Sequence, residues 1–189
     1  MMNVEEDVVK KEVSQVSELI SRIGKEIVNS RGKNPVHFYN LGIIYRSLDQ
    51  YKEAIAALQR TVKISSSMKI AWFKLGQSYE IVKKFKDAID AYRQLVELDS
   101  RDKHGWNDLG IGYQYNGQNY RAIEAFKNAL DIDPWYDPAL FNLGNIYKKL
   151  GKFQEAEKMY VKMRKSPSHF ATLWYRIPER KFFNHKKDR

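Results

Sequence analysis

Residues 106–134 read WNDLGIGYQYNGQNYRAIEAFKNALDIDP, and their spacing decides the fold. Leu109-Gly110 is followed three residues later by Tyr113, then by Ala122 and, four residues on, by Phe126. A shift of 34 residues lays this pattern on the rest of the chain. Leu41-Gly42, Leu75-Gly76 and Leu143-Gly144 occupy the Leu-Gly columns, and Tyr45, Tyr79 and Tyr147 the Tyr column. Ala54, Ala88 and Ala156 follow, then Leu58, Tyr92 and Tyr160. An aromatic stands three residues before the Ala in three copies, as Tyr51, Phe85 and Phe153; Asn119 replaces it in the copy quoted above. No insertion or deletion breaks the frame. A fixed period of this length is the mark of a repeat architecture, in which each unit is one supersecondary element.

Each unit reads as two helices. Phe38, Leu41 and Tyr45 form one apolar stripe at helical spacing, and Tyr51, Ala54 and Leu58 form a second. Between the stripes lie turn signals, clearest at Asn116-Gly117 and Leu150-Gly151, where glycine takes the left-handed backbone that ends a helix. Asp133-Pro134 marks the break between units. The invariant placement of Gly on the first helix and Ala on the second points to a close approach of the two backbones, with the large residues packed around it. A lone helix pair cannot bury its apolar face, so the pairs must stack.

These residues resemble the tetratricopeptide repeat family. Its pattern of Trp, Leu-Gly, Tyr, Ala, aromatic, Ala and Pro is complete in the third copy, as Trp106, Leu109, Gly110, Tyr113, Ala122, Phe126, Ala129 and Pro134. The second copy keeps Trp72 but has Leu95 and Ser100 at the last two positions, and the first has Phe38 for Trp and Thr61 for the late Ala. The fourth has Leu140 and Met163. The resemblance implies an all-α fold, a right-handed α-solenoid of stacked antiparallel helix pairs with N- and C-terminal capping helices. It divides the chain into residues 1–33, an N-terminal amphipathic helix; 34–170, four repeats at 35–68, 69–102, 103–136 and 137–170; and 171–189, a capping helix and basic tail.

The family's usual role is to bind protein rather than to catalyse, with a concave groove lined by the first helices. Its groove positions fall here on Val36, Tyr39, Asn40 and Ile43 of the first repeat, Ile70, Phe73, Lys74 and Gln77 of the second, Asn107 and Ile111 of the third, and Phe141 and Asn145 of the fourth. Farther along the same helices stand Arg46-Ser47, Glu80-Ile81, Gln114-Tyr115 and Lys148-Lys149. Val36, Tyr39, Ile43, Ile70 and Phe73 are apolar without belonging to a core column, and an exposed patch of that kind marks a binding surface. Packing against one of the chain's own terminal helices is the alternative. The two-carboxylate clamp by which some family members hold a peptide C-terminus needs lysine and arginine at positions where this chain has none in three consecutive repeats.

The termini differ from the body. Val9, Val13, Val16, Ile20, Ile23 and Ile27 alternate in steps of four and three, a heptad seam that either caps the first repeat or joins two copies of the chain as a homo-oligomer. The net charge is +10. From Lys148 to Arg189 there are 13 Lys/Arg and 4 Asp/Glu, so this end carries +9 and the remainder +1. The last residues, 179–189, hold Arg180, Lys181, Lys186, Lys187 and Arg189 beside two phenylalanines. They suit either a solvated tail or an adaptor that docks on nucleic acid or an anionic membrane.

Chemistry is sparse. There is no cysteine, which removes disulfides, thiolate metal sites and a cysteine nucleophile and suits a reducing compartment. His37, His104, His169 and His185 are scattered without metal-ligand spacing, and no phosphate-binding glycine loop or serine elbow occurs. No apolar run reaches the length of a membrane span. The sequence thus predicts a non-catalytic cytoplasmic scaffold with no metal or cofactor, binding a protein or peptide of unspecified identity.

Overall fold

The structure is a computed structural model in which residues 4–166 are described, apart from the side chains of residues 4–10, 12 and 13. Among the described residues it is entirely helical. The order is α1 (Val4–Asn29), α2 (Pro35–Ser47), α3 (Tyr51–Ile64), α4 (Lys69–Ile81), α5 (Phe85–Leu98), α6 (Lys103–Tyr115), α7 (Asn119–Ile132), α8 (Asp137–Lys149) and α9 (Phe153–Arg164). The expected C-terminal capping helix at 171–189 lies outside the described residues. The chain divides into two compact units, Met1–Ser100 and Arg101–Arg189. In the first, α2 pairs with α3 and α4 with α5; in the second, α6 pairs with α7 and α8 with α9. Within each unit the second helix of one pair also packs on the first helix of the next, α3 on α4 and α7 on α8, which is solenoid stacking.

The turn inside each pair uses one backbone solution four times. The middle residue has positive φ: Asp49 at 57°, Lys83 at 59°, Gly117 at 76° and Gly151 at 74°. The N–H of the next residue reaches back to the tyrosine carbonyl, Gln50 to Tyr45 at 2.9 Å and Lys84 to Tyr79, Gln118 to Tyr113 and Lys152 to Tyr147 each at 2.8 Å. The middle residue's own N–H bonds the carbonyl following that tyrosine, as from Lys83 to Glu80 at 2.9 Å. This is the Schellman closure of a helix C-terminus. Glycine adopts it freely; Asp49 and Lys83 do so against the clash of their Cβ with the backbone. The left-handed turn read from Gly117 and Gly151 therefore extends to the two pairs without glycine.

The core follows the repeat columns. Ala54, Ala88 and Ala122 are fully buried, as are Leu58, Tyr92 and Phe126. The partner of each first-helix glycine differs from expectation. A Cβ at Gly76 would lie 2.5 Å from Tyr92 Cε1, at Gly110 2.5 Å from Phe126 Cε1, at Gly144 2.6 Å from Tyr160 Cε1, and at Gly42 2.8 Å from Leu58 Cγ. The glycine makes room chiefly for the large side chain four residues beyond the alanine. A ring laid flat across a helix backbone fills more volume than two backbones in contact, and close packing selects it.

The far end of two pairs is closed by an ion pair at equivalent positions. Lys69 Nζ lies 2.6 Å from Asp99 Oδ2, and Lys103 Nζ lies 2.5 Å from Asp133 Oδ2. Helix α1 packs on α2. Of its described side chains only Ile23 is buried, while Val16, Leu19, Ile20 and Ile27 are half-buried. The heptad seam thus faces α2 in part, and α1 takes the place that a preceding second helix would have. Glu26 of α1 lies 3.7 Å from His37 Nε2 of α2, and α2 is capped by Asn34, which accepts the N–H of Val36 at 3.0 Å.

Candidate peptide-binding groove

In the first unit the candidate residues stand on α2 and α4. Val36 is 47% exposed and Ile70 44%. Tyr39, Ile43 and Phe73 are half-buried, and Asn40 is exposed. Lys74 Nζ lies 5.1 Å from the centroid of the Phe73 ring, within range of cation–π attraction.

Arg46 joins the two helices. From α2 its Nη1 donates to the Lys74 carbonyl at 3.0 Å and to Ser78 Oγ at 2.6 Å, and its Nη2 to Gln77 Oε1 at 3.2 Å. Ser78 is fully buried and itself donates to the Lys74 carbonyl at 2.7 Å. The planar guanidinium fork suits this set of three acceptors. Gln77 is therefore tied into the scaffold through its oxygen. One turn along α4, Glu80 Oε2 accepts the Tyr92 hydroxyl at 3.0 Å. Burial raises the Glu80 carboxyl above its usual range, and the tyrosine bond works in the opposite direction.

The second unit uses its candidate residues differently. Asn107 is buried, 4% exposed, and its Oδ1 accepts from Asn142 Nδ2 at 3.1 Å, linking α6 to α8. Ile111 packs against the core built by Ala122, Phe126 and Leu143. Asn145 Oδ1 accepts the Tyr160 hydroxyl at 2.8 Å within its own helix pair. Phe141 is half-buried. Three of these four candidates are thus engaged in holding helices together. Among the candidate groove residues, the exposed aliphatic ones, Val36 and Ile70, stand on α2 and α4.

A polar cluster lies at the start of α6. The Tyr136 hydroxyl is 2.9 Å from His104 Nδ1, and Lys103 Nζ is 5.1 Å from the Tyr136 ring centroid. Burial, helped by the charges of Asp108, Asp102 and Asp133, pushes the Tyr136 phenol up to about 12. Among the described residues no group of three or more His, Asp or Glu is placed to hold a metal ion, and no helix is long and apolar enough to cross a membrane. The tail cations Arg180, Lys181, Lys186, Lys187 and Arg189 lie outside the described residues. Two features escaped the sequence reading. One is the bridging role of Arg46, which repeats nowhere in its column. The other is a cleft beside Trp135 on α9, signalled only by lysines at 158, 162 and 165.

Two family models, both described as tetratricopeptide repeat, match residues 39–103 and 115–166. The chain belongs to the tetratricopeptide repeat family. Membership makes it a protein–protein interaction scaffold. Solved structures agree on the tetratricopeptide fold. A crystal structure of MamA has a TM-score of 0.74 and 23% identity, covering 87% of this chain and 95% of that one. A second MamA crystal structure has a TM-score of 0.72 and 24% identity, covering 82% of this chain and 85% of that one. MamA from residue 41 onward, from Desulfovibrio magneticus RS-1, has a TM-score of 0.71 and 20% identity, covering 87% and 96%. No curated protein matches the chain in sequence.

Proposed function

We propose that this tetratricopeptide repeat protein is a non-catalytic scaffold that binds a peptide segment on the face formed by α2 and α4. The observation that carries this reading is the open aliphatic pair Val36 and Ile70, at 47% and 44% exposure, beside Tyr39, Ile43 and Phe73. Aromatic side chains at such a face offer large contact area at low entropic cost, and a few of them usually dominate the binding energy. Covering the remaining exposed part of Val36 and Ile70 contributes about 1 kcal/mol each, roughly half the value for full burial. Asn40 and Lys74 border the patch and supply polar contacts that fix a peptide's register. An amphipathic helical or extended segment with apolar anchors is the ligand this face suits.

The test is affinity capture on the full chain and on Tyr39→Ala/Phe73→Ala, with circular dichroism confirming that both fold. Partners retained by the full chain at high salt and lost by the double variant support the reading. Identical partners on both proteins, or binding abolished by moderate salt, sink it.

A further inference from the structure

A second cleft lies in the last helix pair. Trp135, in the connection between α7 and α8, and α9 form a cleft of about 650 Å³ lined by Trp135, Gln154, Glu157, Lys158, Val161, Lys162 and Lys165. Lys158, Lys162 and Lys165 are spaced four and three residues apart, so they project from one side of the helix. Against them stands one carboxylate, Glu157. None of the three lysines has a carboxylate partner among the described residues, whereas Lys69 and Lys103 each have one. Like charges at this spacing repel by about 0.2–0.5 kcal/mol per pair, so the row costs the isolated chain stability.

The backbone of Trp135 is held at both ends while its ring stays open. Its backbone N–H donates to Asp133 Oδ1 at 3.0 Å, and its carbonyl accepts from Ser166 Oγ at 3.4 Å. The residue is nevertheless 42% exposed. Lys162 Nζ lies 5.6 Å from the ring centroid. The cleft therefore combines an open apolar surface, Trp135 with Val161, and a row of cations along its edge.

We propose that this cleft binds an acidic peptide segment of a partner protein, with an apolar side chain against Trp135 and Val161 and carboxylates on Lys158, Lys162 and Lys165. Charge decides against the chain's own C-terminus as occupant. Residues 167–189 hold six Lys/Arg and two Asp/Glu, the same sign as the cleft. Membership of a protein-binding repeat family favours a protein segment over nucleic acid as the polyanion on this row.

The probe is a fluorescein-labelled peptide of about ten Asp and Glu residues with a central Leu-Leu, long enough to span the cleft at roughly 3.3 Å per residue, titrated with the full chain by anisotropy. Its comparators are the same peptide with Lys in place of the acids, and oligothymidylate of equal length. The acidic peptide is expected to bind most tightly and to weaken with salt. Lys158→Glu/Lys162→Glu should weaken it about tenfold or more, from the loss and reversal of two ion pairs. Lys158→Arg/Lys162→Arg should restore it, and Trp135→Ala should weaken it several-fold. Lys52→Glu/Lys86→Glu, which alters net charge equally on exposed lysines of the first unit, should leave it unchanged. Three results overturn the proposal: no preference for the acidic over the basic peptide, an equal loss in Lys52→Glu/Lys86→Glu, or tighter binding of oligothymidylate abolished by the same cleft variants. None of them bears on the α2–α4 face.

Discussion

Tyr92 occupies the space that a side chain at Gly76 would need. The ring is fully buried, its Cε1 would stand 2.5 Å from a Cβ there, and its hydroxyl is anchored on Glu80. Gly76→Ala should therefore destabilise the first unit. Overpacking costs about 1–3 kcal/mol, and the gain in helix propensity returns at most about 1 kcal/mol. Urea unfolding followed by circular dichroism checks this. Tyr92→Leu, which copies the Gly42–Leu58 pairing of the first repeat, should recover part of the loss in a double-mutant cycle. Strict additivity of the two changes would show that ring and glycine do not share the space.

Arg46→Ala removes three hydrogen bonds from a charged donor to α4. The expected cost is about 1–2 kcal/mol, towards the low end for charged bonds because the side chain is only half-buried. Arg46→Lys should fare little better, since one ammonium cannot reproduce the fork that spans Lys74, Ser78 and Gln77. Thermal melts of the three proteins distinguish these outcomes; full stability in Arg46→Lys would refute the fork.

Lys83→Gly should stabilise the chain. The residue holds φ at 59°, where glycine carries no Cβ clash. The relief is about 1–2 kcal/mol, and the added freedom of the unfolded chain offsets it by about 0.4–1 kcal/mol. A small rise in melting temperature is the expected reading. The same change at Lys84, one residue later, should give none.

The Asp133 carboxyl is held below the usual carboxylate range by the hydrogen bond from Lys103, with the Trp135 N–H helping and burial opposing. A lowered folded-state pKa gives stability that is full above the unfolded value of about 4 and lost as the pH falls through the folded one. The pair is about a third exposed, which limits its contribution to under about 1 kcal/mol. Stability measured from pH 5 downward should fall less steeply in Asp133→Asn than in the parent chain. Identical slopes would show that the pair is not coupled to folding.

The scaffold was legible because its determinants recur. Leu-Gly, Tyr and Ala stand at one spacing four times, and each falls on a helix as expected. The facing partner of the glycine was not legible, because the Ala and Leu/Tyr/Phe columns are equally regular and only ring size favours the second. Asp49 and Lys83 hid two of the four turns, since the left-handed backbone is visible in sequence only when glycine supplies it. The candidate groove was harder still. Asn107 shares its column with Tyr39, Phe73 and Phe141, yet it is buried, because a short amide can reach Asn142 where a ring cannot. The Trp135 cleft was not legible because Lys158, Lys162 and Lys165 belong to the same +9 stretch as the tail cations, and only the fold sets them beside Trp135.

Ile23 gives α1 its one buried anchor among the described side chains, whereas α4 buries five residues. The two helices should therefore exchange their amide hydrogens through different events. Those of α4 await the unfolding of the whole first unit, while those of α1 are released by a smaller opening that leaves the Arg46 bridge intact. Such an opening would uncover the flank of α2 that carries His37, which lies 3.7 Å from Glu26 of α1. The area available on that side is then set by an equilibrium within the chain as well as by its static surface.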